Sequence, residues 1–238
     1  MGFGAARPAA KPTMLVGFVG PSAEAEKARE AGAEIVMVDA RPPGMVTRFL
    51  GGANDVHPDA EKLRATAADL PAGVLASPDV EGVKLLKNAK LDFLAFESDH
   101  TPAAALLDED LGYVLVLPPS PEELFLRSLD PLNLEALFLD HLPSPLTVSR
   151  QIELTRIARL ASKPIIARVP GNISSEDLQC LRAAGVIVVV VEAAADVTKV
   201  KEVVASLPVR KPKRDEARPV VALPRGTAPA EEHEDDDE

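Results

Sequence analysis

Four acidic residues, Asp39, Glu97, Asp140 and Glu192, each stand at the end of a short apolar run, and these runs are the second, fourth, sixth and eighth of eight. In a closed (β/α)8 barrel, alternate strands send side chains into a shared layer, and the strand ends with their following loops are where barrel enzymes do chemistry. Four carboxylates in one layer repel each other, which raises their pKa values unless a cation lies among them. Two chemistries follow. Asp39, Glu97, Asp140 and Glu192 would hold a divalent metal, Mg2+ or Mn2+, through oxygen ligands. Alternatively the carboxylates act as acid and base, with His100 or His141 moving a proton close to Glu97 and Asp140. Arg168 closes the seventh run, where an unpaired guanidinium would be costly to bury, so it is expected to meet Glu192 on the next strand or a ligand anion. Asp140, His141, His100 and Arg168 are therefore the catalytic candidates. The competing reading is that a strand-end acid merely reaches solvent or braces a turn, and a one-residue shift would turn any of them away from the interior.

The elements that must position these residues are read from the alternation itself. Strands are expected over 15–20, 34–39, 73–77, 92–97, 113–118, 136–140, 164–168 and 186–192. Helices are expected over 23–31, 58–69, 80–88, 103–108, 121–129, 146–161, 175–184 and 197–205. Ser77 with Pro78 and Asp79, Ser120 with Pro121 and Glu123, and Ser174 with Glu176 supply N-terminal capping signals. Gly32 and Gly185 follow two helices as left-handed caps would. The fold class is α/β: a single (β/α)8 barrel over 14–208, between disordered segments 1–13 and 209–238. An open doubly wound sheet is the alternative. Eight nearly uniform units favour closure, and Gly20 is followed by Pro21 where a dinucleotide fold would place a glycine-rich turn, so no nucleotide cofactor is expected.

One connection is long. Between Asp39 and Pro58 the chain is rich in Gly and Pro, with Gly51 and Gly52 as hinges and Arg41 and Arg48 placed to close over an anion; a lid and a variable insertion fit it equally. His57, His100 and His141 all fall in segments read as loops after strands.

Composition bounds the class. The 238 residues are 46% hydrophobic but 3% aromatic, with no Trp and one Tyr, so the core must be aliphatic. That suits parallel strands buried on both faces. Net charge is −11; residues 210–238 carry six basic and nine acidic groups, leaving the body at −8. An acidic body disfavours nucleic acid and anionic membrane as partners. One cysteine, Cys180, excludes an intrachain disulfide and reads as helix packing, and no run is long enough to span a bilayer, so a cytoplasmic location is expected. A small-molecule substrate is the expected partner, and pairing of barrels into a homo-oligomer stays open. In the tail, Val220, Val221, Ala222 and Leu223 form an apolar patch between Pro219 and Pro224, which either docks on a protein partner or is incidental to a solubilising segment.

What is missing narrows the reaction. No strand ends in lysine, which leaves a Schiff-base aldolase without its nucleophile. Gly171, Asn172 and Ser174 after the seventh strand could donate to a phosphate, but the eighth offers VEAAADV without glycine, so half of such a site is absent. The units GPSAEAEKAREAGAEIVMVDA and SSEDLQCLRAAGVIVVVVEA resemble the helix-to-strand repeats of compact TIM barrels of the aldolase and phosphate-binding type. The resemblance is to the superfold and names no single family. Through Glu97, Asp140 and Arg168 it implies, by analogy, a lysine-free, metal-dependent lyase of the pyruvate or phosphoenolpyruvate barrel kind. The expected function is thus a lyase or isomerase acting on an oxoacid at the barrel mouth. A barrel without catalysis, recruited as a scaffold through its tail, is the alternative.

Overall fold

A computed structural model describes residues 14–41 and 53–208, the side chains of 53–59 excepted. The expectations for 1–13, for Arg48, Gly51 and Gly52, for the His57 side chain, and for Val220, Val221, Ala222 and Leu223 lie outside the described residues. Eight strands form: β1 (Leu15–Gly20), β2 (Ile35–Asp39), β3 (Ala72–Leu75), β4 (Phe93–Glu97), β5 (Gly112–Val116), β6 (Ala136–Leu139), β7 (Ile165–Arg168) and β8 (Val186–Val191). Each pairs in parallel with the next, and β8 returns to β1 with Leu15 beside Val188 and Phe18 beside Val191. The sheet is closed, which removes its edges and rules out the open alternative.

Outside it run α1 (Ala25–Glu30), preceded by a 3-10 turn at Ser22–Glu24, then α2 (Ala53–Ala67), α3 (Val80–Asn88), α4 (Glu123–Arg127), α5 (Val148–Ala161), α6 (Ser175–Ala184) and α7 (Ala194–Ser206). The fourth expected helix is instead a 3-10 helix, Ala103–Leu107. A short connection between β4 and β5 must climb back along the barrel, and 3-10 geometry rises about 2.0 Å per residue against about 1.5 Å in an α-helix. The fifth helix, α4, is five residues long, begins after Glu122 and receives no side-chain cap, so the expected cap at Ser120 does not form. Helix α2 starts at Ala53, five residues before Pro58, which places His57 in a helix and shortens the long connection. Elsewhere the caps follow local chemistry: Asp79 accepts from Gly82 N, Thr147 from Arg150 N and Ser174 from Asp177 N. Gly32 and Gly185 adopt φ of +93° and +107°, the left-handed turn that glycine enters without steric cost.

Strand parity is what positions the site. Met37, Ala95, Phe138, Ile166 and Val190 belong to the apolar cluster inside the barrel, while Val38, Leu94, Leu137, Ala167 and Val189 pack outward against the helices. Side chains alternate between faces. Asp39, Glu97, Asp140, Arg168 and Glu192 each follow one of those interior residues by two, so all five continue the interior face at the C-terminal rim. Asp140 and Glu192 lie one residue beyond β6 and β8.

The interior is filled by pairing large side chains with absent ones. Gly73 on β3 sits in register with Phe93 on β4, whose ring occupies the space a Cβ at 73 would need. Gly73→Ala should therefore displace the Phe93 ring and cost roughly 1–3 kcal/mol, seen as a drop of several degrees in the thermal midpoint by circular dichroism.

Candidate functional site

At the rim, two arginines bind the acids together. Arg41, two residues past Asp39, folds back so that Nε and Nη2 donate to Asp39 Oδ1 and Oδ2 at 2.8 and 2.7 Å. Its remaining arm, Nη1, donates to Asp140 Oδ2 at 2.7 Å and lies 3.8 Å from Glu97 Oε1. From β7, Arg168 donates through Nη2 to Asp39 Oδ2 at 2.9 Å and through Nη1 to Glu192 Oε1 at 3.1 Å. Its Nε lies 3.0 Å from Asp140 Oδ1, close enough for an ion pair but too poorly aligned for a hydrogen bond. The Arg168 guanidinium carbon stands 5.8 Å from the centroid of the Phe138 ring below it, within the range of a cation–π contact.

The four acids of alternate strands therefore converge, and the positive charge among them is supplied by the chain. Arg168 does meet Glu192, but the Glu192 side chain is 64% exposed, whereas Asp39 and Asp140 are 20% and 14% exposed. Exposed pairs are screened and weak, so Asp39 and Asp140 are the partners that matter for Arg168. Burial by itself would raise the Asp39 carboxyl, yet hydrogen bonds and charge from Arg41 and Arg168 outweigh it and hold that carboxyl below its usual range. Burial likewise works against the Arg41 cation, and the hydrogen bonds it donates to Asp39 and Asp140 more than reverse it, pushing the Arg41 pKa up. Among the described residues no three His, Cys, Asp or Glu side chains are grouped so as to hold a metal ion. The guanidiniums occupy the place between the carboxylates that such an ion would take.

Beside this lock, over the ends of β4, β5 and β6, opens a cavity of about 600 Å3. Glu97, Asp140, His100 and His141 line its polar side; Val116, Leu117, Phe125, Leu139 and Pro143 line the rest. The short turn from Glu97 to His100 brings His100 Nδ1 within 3.2 Å of Glu97 Oε2. His141 is held more loosely, 67% exposed with Nε2 3.9 Å from Asp140 Oδ2. The loop carrying it is anchored from behind: buried Asp177, in the first turn of α6, accepts from Ser144 Oγ and Leu146 N, each at 3.0 Å.

The residues expected to hold a phosphate stand apart from this cavity. Ser174 is engaged in capping α6 at Asp177 N, Asn172 is exposed, and a Cβ at Gly171 would run into the Asp196 carboxylate, an unfavourable neighbour for an anion. Cys180 lies half-buried on α6. Sequence reasoning misses Asp177, Phe125 and Arg150 and gives Arg41 another role. The sequence suggests Arg41 as a clamp for an external anion, but its spacing of two from Asp39 is the signal that it serves an internal one. Asp177 looked like an ordinary first-turn acid, and nothing local marks it as an anchor for a loop 31 residues away. Phe125 and Arg150 reach the cavity from α4 and α5, which strand-end reasoning does not inspect.

No family model and no curated protein sequence matches the chain, whereas solved structures match its fold over most of its length. A Yersinia pestis DHPS solved with a pterine-sulfa conjugate is 13% identical, covers 82% of this chain and 94% of its own, and superposes with a TM-score of 0.59. The chain has the TIM-barrel fold. The metallated form of the homocysteine methyltransferase MmuM from Escherichia coli matches at 16% identity, 81% and 96% coverage and a TM-score of 0.59. Tryptophan synthase from M. tuberculosis matches at 12% identity, 84% and 95% coverage and the same TM-score. These neighbours share the barrel's architecture; their chemistries differ, as is usual for this superfold.

Two measurements test the lock. Arg168→Leu leaves Asp39 and Asp140 facing each other with one guanidinium fewer, and should lower stability to urea by about 3–5 kcal/mol. Because the Asp39 pKa is depressed on folding, the stability it contributes is fully present above about pH 5 and fades as the pH falls toward the lowered folded value. Asp39→Asn should therefore be less stable than the parent at pH 7, and the two unfolding curves should draw together in acid.

Proposed function

We propose that the chain is a small-molecule enzyme of the lyase or isomerase kind, reacting its substrate in the cavity over β4, β5 and β6. The observation that carries this reading is the cavity itself: concave, largely apolar, at the C-terminal rim, with the Glu97–His100 pair on one wall. Such a combination of an apolar pocket with a few convergent polar groups is the usual form of a ligand site, and in this fold the rim is where reactions occur. Glu97 and His100 would move a proton between them and the substrate. His100, donating from Nδ1, keeps Glu97 oriented and leaves Nε2 free to accept. Asp140 is held by both arginines and serves as a fixed negative charge beside the reacting group.

The expectation that Arg168 meets a ligand anion gains no support, because its three nitrogens already face Asp39, Asp140 and Glu192. The lock acts as scaffolding that keeps Asp140 rigid, as a preorganised site requires.

Incubation with a small-molecule cell extract, followed by mass spectrometry, tests the reading. At least one metabolite should be converted by the parent chain and converted about 100-fold or more slowly by Glu97→Gln and by His100→Asn, with all three proteins melting as folded domains. Finding no conversion that depends on these residues would replace the enzyme with a barrel that binds without reacting.

A further inference from the structure

The cavity's charge defines what it admits. Around the rim stand four carboxylates, Asp39, Glu97, Asp140 and Glu192, against two arginines. Both arginines are fully directed at those acids, so the mouth keeps an excess of negative charge. Arg150, the arginine among the described residues that line the cavity, is neutralised at its edge: its Nη1 donates to Glu153 Oε2 at 2.6 Å and to Pro119 O at 3.2 Å. Among the described residues lining the cavity, no arginine or lysine is left facing it without an acidic partner. Glu97 is in the opposite condition. It is 20% exposed, receives no arginine hydrogen bond, and has Arg41 no nearer than 3.8 Å to Oε1. Its other oxygen meets a histidine that can donate a hydrogen bond without carrying charge. A half-buried carboxylate in this condition favours a cationic neighbour, and burial against Val116, Phe125 and Leu139 favours an apolar body attached to it.

We infer that the ligand of this cavity is an organic cation, a protonated amine or amidine carried on an apolar body, with its charged nitrogen directed at Glu97 and Asp140. This rests on the cavity being the reactive site and narrows the substrate class from the oxoacid expected from sequence to its electrostatic opposite. An anionic substrate entering here would meet carboxylates whose guanidinium partners are already committed. A cation finds two acids on one side and apolar contacts on the other, the arrangement that discriminates by charge as well as by shape.

Three probes of one shape and different charge test it on the full chain: phenethylamine, 3-phenylpropionate and 2-phenylethanol, titrated at pH 7 by calorimetry or by protein-observed NMR. Phenethylamine, a cation at this pH, should bind at least about tenfold more tightly than 3-phenylpropionate. In Glu97→Gln that preference should fall to within about threefold while 2-phenylethanol binds as before. Phe125→Ala, which leaves the acids in place, should weaken phenethylamine and 2-phenylethanol alike and keep the charge preference. The inference is overturned if the carboxylate probe binds as well as the amine, if the preference survives Glu97→Gln, or if none of the three binds. Its failure is distinguishable from that of the enzyme reading. A Glu97-dependent conversion of an anionic metabolite would keep the enzyme and discard the cation, whereas a Glu97-dependent amine preference without any conversion would do the reverse.

Discussion

The constraint on which the rest of the mouth depends is the repulsion among carboxylates brought together by barrel closure, and the chain answers it with two guanidiniums. Arg41 grips both oxygens of Asp39 and reaches Asp140; Arg168 touches Asp39, Asp140 and Glu192. Strands β2 and β7 and the residues that follow β6 and β8 are thereby tied across the opening. A planar guanidinium suits this work better than an ammonium would, since its nitrogens diverge in fixed directions and each can serve a different acid. Charge pairs so poorly solvated contribute little net stability relative to apolar packing, and lose a great deal when one member is removed. The network is better understood as a device that fixes positions than as a source of folding energy.

Beneath it the barrel supplies the geometry. Parity alone brings Asp39, Glu97, Asp140, Arg168 and Glu192 to the interior face, because each lies two residues beyond an interior apolar side chain. Phe138 then forms a floor under Arg168, and Phe93, lodged where β3 has glycine, fills the deeper layer. The acids rest on a packed floor, and the path from their rim leads outward into the cavity.

Much of this was legible in the residues. The eight-fold alternation, the strand ends and the convergence of the acids all follow from period-two patterning, which is a strong signal when every strand is buried on both faces. Partnerships were less legible. Adjacent strands make Glu192 the expected partner of Arg168, but the less exposed Asp140, after the other neighbouring strand β6, and Asp39, from the distant β2, bear more of its charge. The 3-10 helix at Ala103–Leu107 and the brevity of α4 were hidden because composition there permits a helix, and only the length of chain needed to return along the barrel decides otherwise. The cavity wall, with Phe125 from α4 and Leu139 from β6, arises from tertiary packing that no local pattern records.

The outer layer over β4 and β5 is light. The side of the mouth bearing Arg168 and Glu192 is braced by the long helices α6 and α7, while the cavity is covered by one turn and a half of 3-10 helix, the five-residue α4 and the start of α5. The two sides meet at Asp140 and Glu97. Substitutions at Val116, Leu117 or Phe125 can remodel the shape of the guest while the frame that holds the charges stays put. A barrel divided in this way separates the residues that set the cavity's shape from those that hold its charges in place.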